Sequence, residues 1–343
     1  MKLKTGFMRR RGFSPGVCPD TQRSGFVMDG DTASPRLPPA ASDDLVQPFQ
    51  VENGAARGRL VRLGPAVQNV IDGHQYPEPV AALLTQAIAL SVLVAGIFKF
   101  DGVFSLQAKG DGPVSLLVAD LTSDGALRGF AQFDQEALDA LGDSWRDGPV
   151  PHLLGGGYLA FTVDQGPDTE SYQGIVDLTG ATLADCAHNY FRQSDQFEGV
   201  VKLTSGFDVS GNWRAGGLLV QKMPPEGLAL QSGDAADEEF EEAWRRAVVL
   251  MGSSRDEELL DPALHPHELL FRLFHEDGVR VFDPVPLEMR CRCSAERVET
   301  MLKSFPRTEI ETLKVGDDVV VTCEFCGHDY VYDYEGIDQL YNS

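Results

Sequence analysis

Basic residues are scarce in this chain: 29 Lys and Arg face 52 Asp and Glu, a formal net charge of -23 over 343 residues. A surface this negative repels phosphate, so a nucleic-acid partner is not expected. Cysteine is scarce too. Of six, four fall in the last 53 residues, which excludes a distributed disulfide framework and marks one localised site in a reducing compartment. The basic start, Met1 to Arg11, contains an Arg10-Arg11-Gly12-Phe13 stretch like part of a twin-arginine export signal, but lacks the apolar region that should follow. Residues 14–43 are instead rich in Pro, Ser, Asp and Gly, and bury too little surface to offset the entropy of ordering. Residues 1–43 are therefore read as a disordered extension, with Met28 a second candidate start.

Long apolar runs are also few. The one that stands out, residues 80–98, has nineteen positions without a charge. Thr85, Gln86 and Ser91 interrupt it, Pro79 suits a first helical turn, and no strongly basic flank or second span accompanies it. It is read as a helix of a soluble, cytoplasmic protein. With no polar face, such a helix must be buried or must face a partner.

From residue 44 to 230 the pattern mixes strand and helix. Residues 104–108 alternate, Gly110-Asp111-Gly112-Pro113 turns, and 114–119 returns, which predicts an antiparallel hairpin. Further strands are predicted at 158–164, 172–178, 200–203 and 217–222, with a helix over 183–197, giving an α+β class. The Gly155-Gly156-Gly157 run precedes a strand rather than a helix, so it reads as a turn and not a phosphate loop. Residues 231–288 form an acidic linker in which Asp234, Asp237, Glu238, Glu239, Glu241 and Glu242 precede a helical apolar pattern. Helices this short are marginal unless packed against a neighbour.

Residues 289–343 are predicted to be a small four-cysteine zinc domain. Cys291-Arg292-Cys293 and Cys323-Glu324-Phe325-Cys326 stand 29 residues apart, and four thiolates in two close pairs suit tetrahedral zinc. Ser294 is placed to cap a helix with Val298, Met301, Leu302 and Phe305 on one face; Thr308 and Glu311 have capping-box spacing. Val319-Val320-Val321 and Tyr330-Val331-Tyr332 read as a hairpin holding the second pair at its turn. So small a unit needs the metal to fold, a contribution on the order of 10 kcal/mol. His328 is a spare ligand beside a complete set. Each pair can also close as a disulfide, under strain for the one-residue spacer, and Arg290 and Arg292 should favour the thiolates that oxidants attack.

These residues, with Lys99-Phe-Asp-Gly102, Tyr172-Gln-Gly-Ile-Val176, Tyr190-Phe-Arg-Gln-Ser194 and Phe271-Arg-Leu-Phe-His-Glu276, resemble the 33-kilodalton heat-shock protein family of redox-regulated bacterial chaperonins over about residues 44–335. The resemblance implies a non-enzymatic, nucleotide-independent holdase that binds unfolding client proteins under oxidative stress. It implies a reduced form that is inactive, with one zinc on Cys291, Cys293, Cys323 and Cys326. In the oxidised form it pairs Cys291 with Cys293 and Cys323 with Cys326, releases zinc, unfolds the linker and favours a homodimer. Cys18 and Cys186 lie outside the motif, and Cys186 reads as a core residue. Two other readings compete. A zinc-ribbon binding module is disfavoured by the acidic surroundings, and a thiol-disulfide oxidoreductase gives Cys291 and Cys293 no purpose.

Overall fold

The computed structural model describes residues 26–28, 43–52, 54–166, 171–193, 198–223, 234–310, 314–315 and 317–342. In chain order the elements begin with β1 (Phe26–Met28), β2 (Leu45–Val51), β3 (Ala56–Leu63), α1 (Pro65–Asp72), α2 (Glu78–Ala95), β4 (Val103–Gly110), β5 (Val114–Thr122) and β6 (Ala126–Phe133). There follow α3 (Gln135–Leu141), β7 (Gly157–Asp164), β8 (Tyr172–Asp177), α4 (Leu183–Gln193), β9 (Gly199–Phe207) and β10 (Trp213–Lys222). Next come α5 (Asp234–Gly252), α6 (Asp256–Leu260), α7 (Pro266–Phe274), β11 (Val279–Val281), β12 (Val285–Pro286) and β13 (Glu288–Met289). The chain ends in α8 (Ala295–Lys303), α9 (Arg307–Ile310), β14 (Lys314–Val315), β15 (Asp318–Thr322), β16 (Asp329–Tyr332) and α10 (Tyr334–Asn342).

The uncharged run forms α2, and the reason for its composition is its place between two sheets. The first sheet has the order β1-β11-β2-β3-β10-β9, with β12 also beside β2; the second has β13-β6-β5-β4-β7-β8. Helix α2 packs on β3, β9 and β10 from one side and β4, β5 and β6 from the other. Fifteen of its eighteen residues are buried, so no position is left for a polar face. The two polar interruptions deep in it are satisfied within the helix: Thr85 Oγ1 donates to Ala82 O at 3.1 Å and Ser91 Oγ to Ile88 O at 2.8 Å. The glycine run is a turn, with the Gly156 amide donating to Asp111 Oδ1 at 2.7 Å.

The alternation along β3 and β10 explains the linker. Val61 and Leu219 face α2, while Leu60, Leu218 and Val220 face the other way and need a second cover. Helices α5 and α7 supply it with Trp244, Ala247, Met251, Leu269, Leu270 and Phe274, all buried, and the Phe274 ring stacks on Phe49 at 5.3 Å between centroids. The acidic surplus is partly paired: Lys222 binds Glu241 at 2.6 Å, Arg246 binds Asp277 at 2.6 Å and Arg272 binds Glu258 at 2.7 Å. Helix ends are tied by sheet cations, since Arg214 Nε donates to Leu260 O at 2.5 Å and Arg62 Nη1 to Leu264 O.

Three expectations are revised. Residues 231–288 are not helical throughout, because β11 and β12 extend the first sheet along β2, and β13 runs parallel to β6 at the edge of the second. Within the expected extension, Phe26–Met28 pairs antiparallel with β11, whose outer edge would otherwise offer unpaired backbone groups. Most of that extension, with Cys18, lies outside the described residues. Thr308 does not cap α9, which starts one residue earlier with Pro306 O accepting from the Glu309 amide at 2.9 Å; Glu311 lies outside the described residues.

Two histidines at the start of α7 give the linker a pH dependence. His267 Nε2 donates to Gln47 Oε1 at 3.0 Å, and burial, helped by neighbouring His265, pushes its pKa from 6.5 down to about 4. His265 is lowered as well, by burial first, with Arg62 acting the same way and Glu268 opposing. The unfolded segment takes up a proton near 6.5 while the folded one refuses it until about 4. Folding is therefore unaffected above the upper value and weakens as pH falls through that window. Hydrogen exchange across 256–274, corrected for intrinsic rate, is expected to quicken from about pH 7.5 to about pH 5, and His267→Gln to flatten the change. An unchanged profile in the parent protein would exclude the effect.

Candidate metal centre

The C-terminal unit is a three-stranded sheet, β14-β15-β16, with three helices around it. Ser294 caps α8 as expected, its side chain accepting from the Arg297 amide. The core among the described residues is Leu302, Ile310, Val319, Ile337 and Leu340, too few buried side chains to fold the unit alone. Met301 and Phe305, expected on one face with Val298 and Leu302, are 43% and 42% exposed.

The unit brings together the cysteines that the sequence singled out. The four Sγ atoms of Cys291, Cys293, Cys323 and Cys326 all lie within 4.8 Å of one another. Across the pairs, Cys291 and Cys323 are 3.7 Å apart and Cys293 and Cys326 3.5 Å. A tetrahedron with metal–sulfur bonds of about 2.3 Å has edges of about 3.8 Å, so the donor set fits a cation at its centre. The second pair is formed by a tight turn after β15: the Gly327 amide donates to Cys323 O at 2.8 Å, the Cys323 amide to His328 O at 2.9 Å, and Gly327 takes a φ of +68°, a region glycine enters without strain. The His328 ring packs edge-on against Tyr330 and is not part of the sulfur cluster.

Sulfur electrostatics also call for a cation. Burial works against ionisation of Cys291, but hydrogen bonds from the Cys293 amide and the neighbouring thiols bring it down to about 7. Cys326 is pushed well up, first by burial and then by the other three sulfurs, so the four thiolates do not coexist without a compensating charge. Tyr330 is raised to about 12, chiefly by the neighbouring Cys293 sulfur. The sequence showed Tyr330 only as a strand residue; its position four after Cys326 was the available signal.

Arg290 and Arg292, expected to favour the thiolates, are engaged by carboxylates instead. Arg290 Nη2 binds Asp124 Oδ2 at 2.5 Å, in the turn between β5 and β6, and Arg292 Nη2 binds Asp120 Oδ2 at 2.6 Å, on β5. The second pair docks on the same sheet, with the Phe325 ring 4.9 Å from that of Phe130 and the Arg128 guanidinium 3.7 Å above it. His74, after α1, contacts Glu324 O at 2.6 Å. Cys186 is fully buried on α4, its thiol raised to about 11 by burial, and stands outside the cluster.

Fold and site together define a class: an α+β domain, covered on one sheet by a helical segment, that carries a four-cysteine module of metal-binding geometry on its other sheet. The chain belongs to the Hsp33 protein family, whose sequence profile matches residues 44–333. It is 43% identical over 298 residues to the 33 kDa chaperonin of Caulobacter vibrioides, covering 86% of this chain and 96% of that one. It is 33% identical over 301 residues to the 33 kDa chaperonin of Escherichia coli O7:K1, covering 88% and 96%. The crystal structure of the 33 kDa chaperonin of Thermotoga maritima has the same fold, with a TM-score of 0.70 at 20% identity over 88% of this chain and 98% of that chain. Membership assigns a chaperone function, in a non-enzymatic class.

Proposed function

We propose that the protein is an ATP-independent holdase of the cytoplasm, inactive when reduced and switched on by oxidation of its four cysteines. The observation that carries this is the sulfur cluster, four mutually close thiols within a unit whose own core is too small to hold it together. Zinc is the cation that four thiolates select, and when bound it supplies the charge and cross-links that fold the unit. Reduced protein is expected to carry one zinc per chain, and Cys323→Ser to lose most of its affinity. Full zinc occupancy in that variant would exclude the ligand assignment.

Oxidation acts through the thiolates. Each pair, Cys291 with Cys293 and Cys323 with Cys326, gives two electrons to peroxide, which takes two protons from solvent and leaves as two waters, and each disulfide removes two ligands. Loss of the fold of 289–343 withdraws support from the linker, and its helices, marginal alone, release the face formed by Phe49, Leu60, Leu218 and Val220. That apolar face and the freed helices hold unfolding clients, with a homodimer expected in the oxidised form and no role for nucleic acid or membrane. The direct test is thermal aggregation of a labile client without nucleotide: oxidised protein should suppress it and reduced protein should not. Equal suppression by both would refute the switch.

A further inference from the structure

Each cysteine pair encloses one residue that reaches the second sheet, and both land on the same patch. Arg292, between Cys291 and Cys293, ends on Asp120; Phe325, between Cys323 and Cys326, lies under Arg128 and against Phe130. Asp120 and Arg128 are themselves a direct cross-strand pair on β5 and β6, joined by bonds of 2.9 and 2.7 Å, with Ser105 Oγ on β4 donating to the other Asp120 oxygen at 2.6 Å. Asp120 is 5% exposed, so the module seals over a carboxylate that, among the described residues, these donors satisfy. The strand that leads to Cys291 lies along the same β6: β13 pairs with Ala126 and Leu127, and the Arg290 amide donates to Leu127 O at 3.1 Å.

We propose that Asp120 and Arg128 are positioning residues of the switch, a single receiver on the chaperone domain that reads both cysteine pairs through Arg292 and Phe325. The proposal rests on the redox reading above and adds what couples the module to the rest of the chain. Sulfur contacts now run across the pairs, 3.7 Å from Cys291 to Cys323 and 3.5 Å from Cys293 to Cys326. Closing a disulfide within a pair requires about 2.05 Å between its own two sulfurs. The ring that forms includes the backbone of the enclosed residue, which must change its dihedral angles and withdraw its side chain from the receiver. Because Arg128 touches both Asp120 and Phe325, loss of either foot loosens the other. With Arg292 detached, the chain back to the linker is held by pairings two and three residues long at β13, β12 and β11, and these open in turn.

The test uses full-length reduced protein with zinc content, hydrogen exchange and peroxide-driven zinc release as readouts. Arg128→Ala is expected to keep one zinc per chain, to lose protection at 285–293 and 323–327, and to release zinc to peroxide roughly tenfold faster, the effect of one lost charge-assisted contact. Arg292→Ala removes the same network from the module side, at a side chain 29% exposed, and should act alike if Arg128→Ala fails to fold. Phe325→Ala should accelerate release and Phe325→Tyr, which keeps the ring, should restore it. In a double-mutant cycle, Arg128→Ala with Phe325→Ala should be less than additive. Parent-like protection and release in Arg128→Ala and Arg292→Ala would overturn the receiver. Failure of the parent protein itself to release zinc or gain holding on oxidation would instead overturn the redox reading, and protection of the reduced state reports docking independently of it.

Discussion

Peroxide with mild warming is expected to release zinc from the reduced protein first, to strip hydrogen-exchange protection from 231–288 next, and to switch on client holding last. The order follows from magnitudes. Four-thiolate zinc contributes on the order of 10 kcal/mol, as much as the whole net stability of an ordinary domain at about 5–15 kcal/mol. With five buried apolar side chains in its described core, the C-terminal unit does not survive that loss. The linker is different: it has its own cover of apolar residues on the first sheet, so it opens as a consequence and more slowly. Parallel time courses of zinc release, exchange by mass spectrometry and suppression of aggregation separate the three events. Holding gained while zinc is retained and 231–288 stays protected would refute this mechanism and leave the chaperone assignment standing.

Phe274→Ala is expected to produce holding without any oxidant. Phe274 is fully buried and stacked on Phe49, and truncating a buried Phe costs about 3–5 kcal/mol. Helix α7 has nine residues and does not persist without its packing. The variant should therefore bind one zinc per chain in the reduced state, show an unprotected linker and suppress aggregation as the oxidised parent does. Val249→Ala, at a side chain 71% exposed on the neighbouring helix, should change nothing. Exchange at α2 checks that the two-sheet domain stays folded. A reduced Phe274→Ala protein with an open linker and no holding would show that linker release is insufficient.

The four-sulfur cluster was legible because its information is local: the spacing of Cys291, Cys293, Cys323 and Cys326, the Ser294 cap and the hairpin all lie within a short stretch. The buried character of α2 was legible from its lack of charge, though not the two sheets that bury it. Strands β11, β12 and β13 were not, because two or three residues carry no alternation, and their pairing partners lie at residues 45–51 and 126–127. For the same reason the receiver was invisible. Asp120 and Arg128 look like solvent-facing positions of a half-buried sheet, and only the fold brings Arg292 and Phe325 onto them.

The placement of α2 has a consequence for synthesis of the chain. The helix ends at Ala95, but β9 and β10, which close it from one side, are complete only at Lys222, some 130 residues later. At about 5–20 residues per second, the ribosome takes roughly 6 to 25 seconds to make that cover. During that interval the nascent chain displays eighteen residues of nearly continuous apolar helix, the kind of segment that targeting factors and other chaperones engage. The protein that shields unfolding clients thus begins its own existence as one.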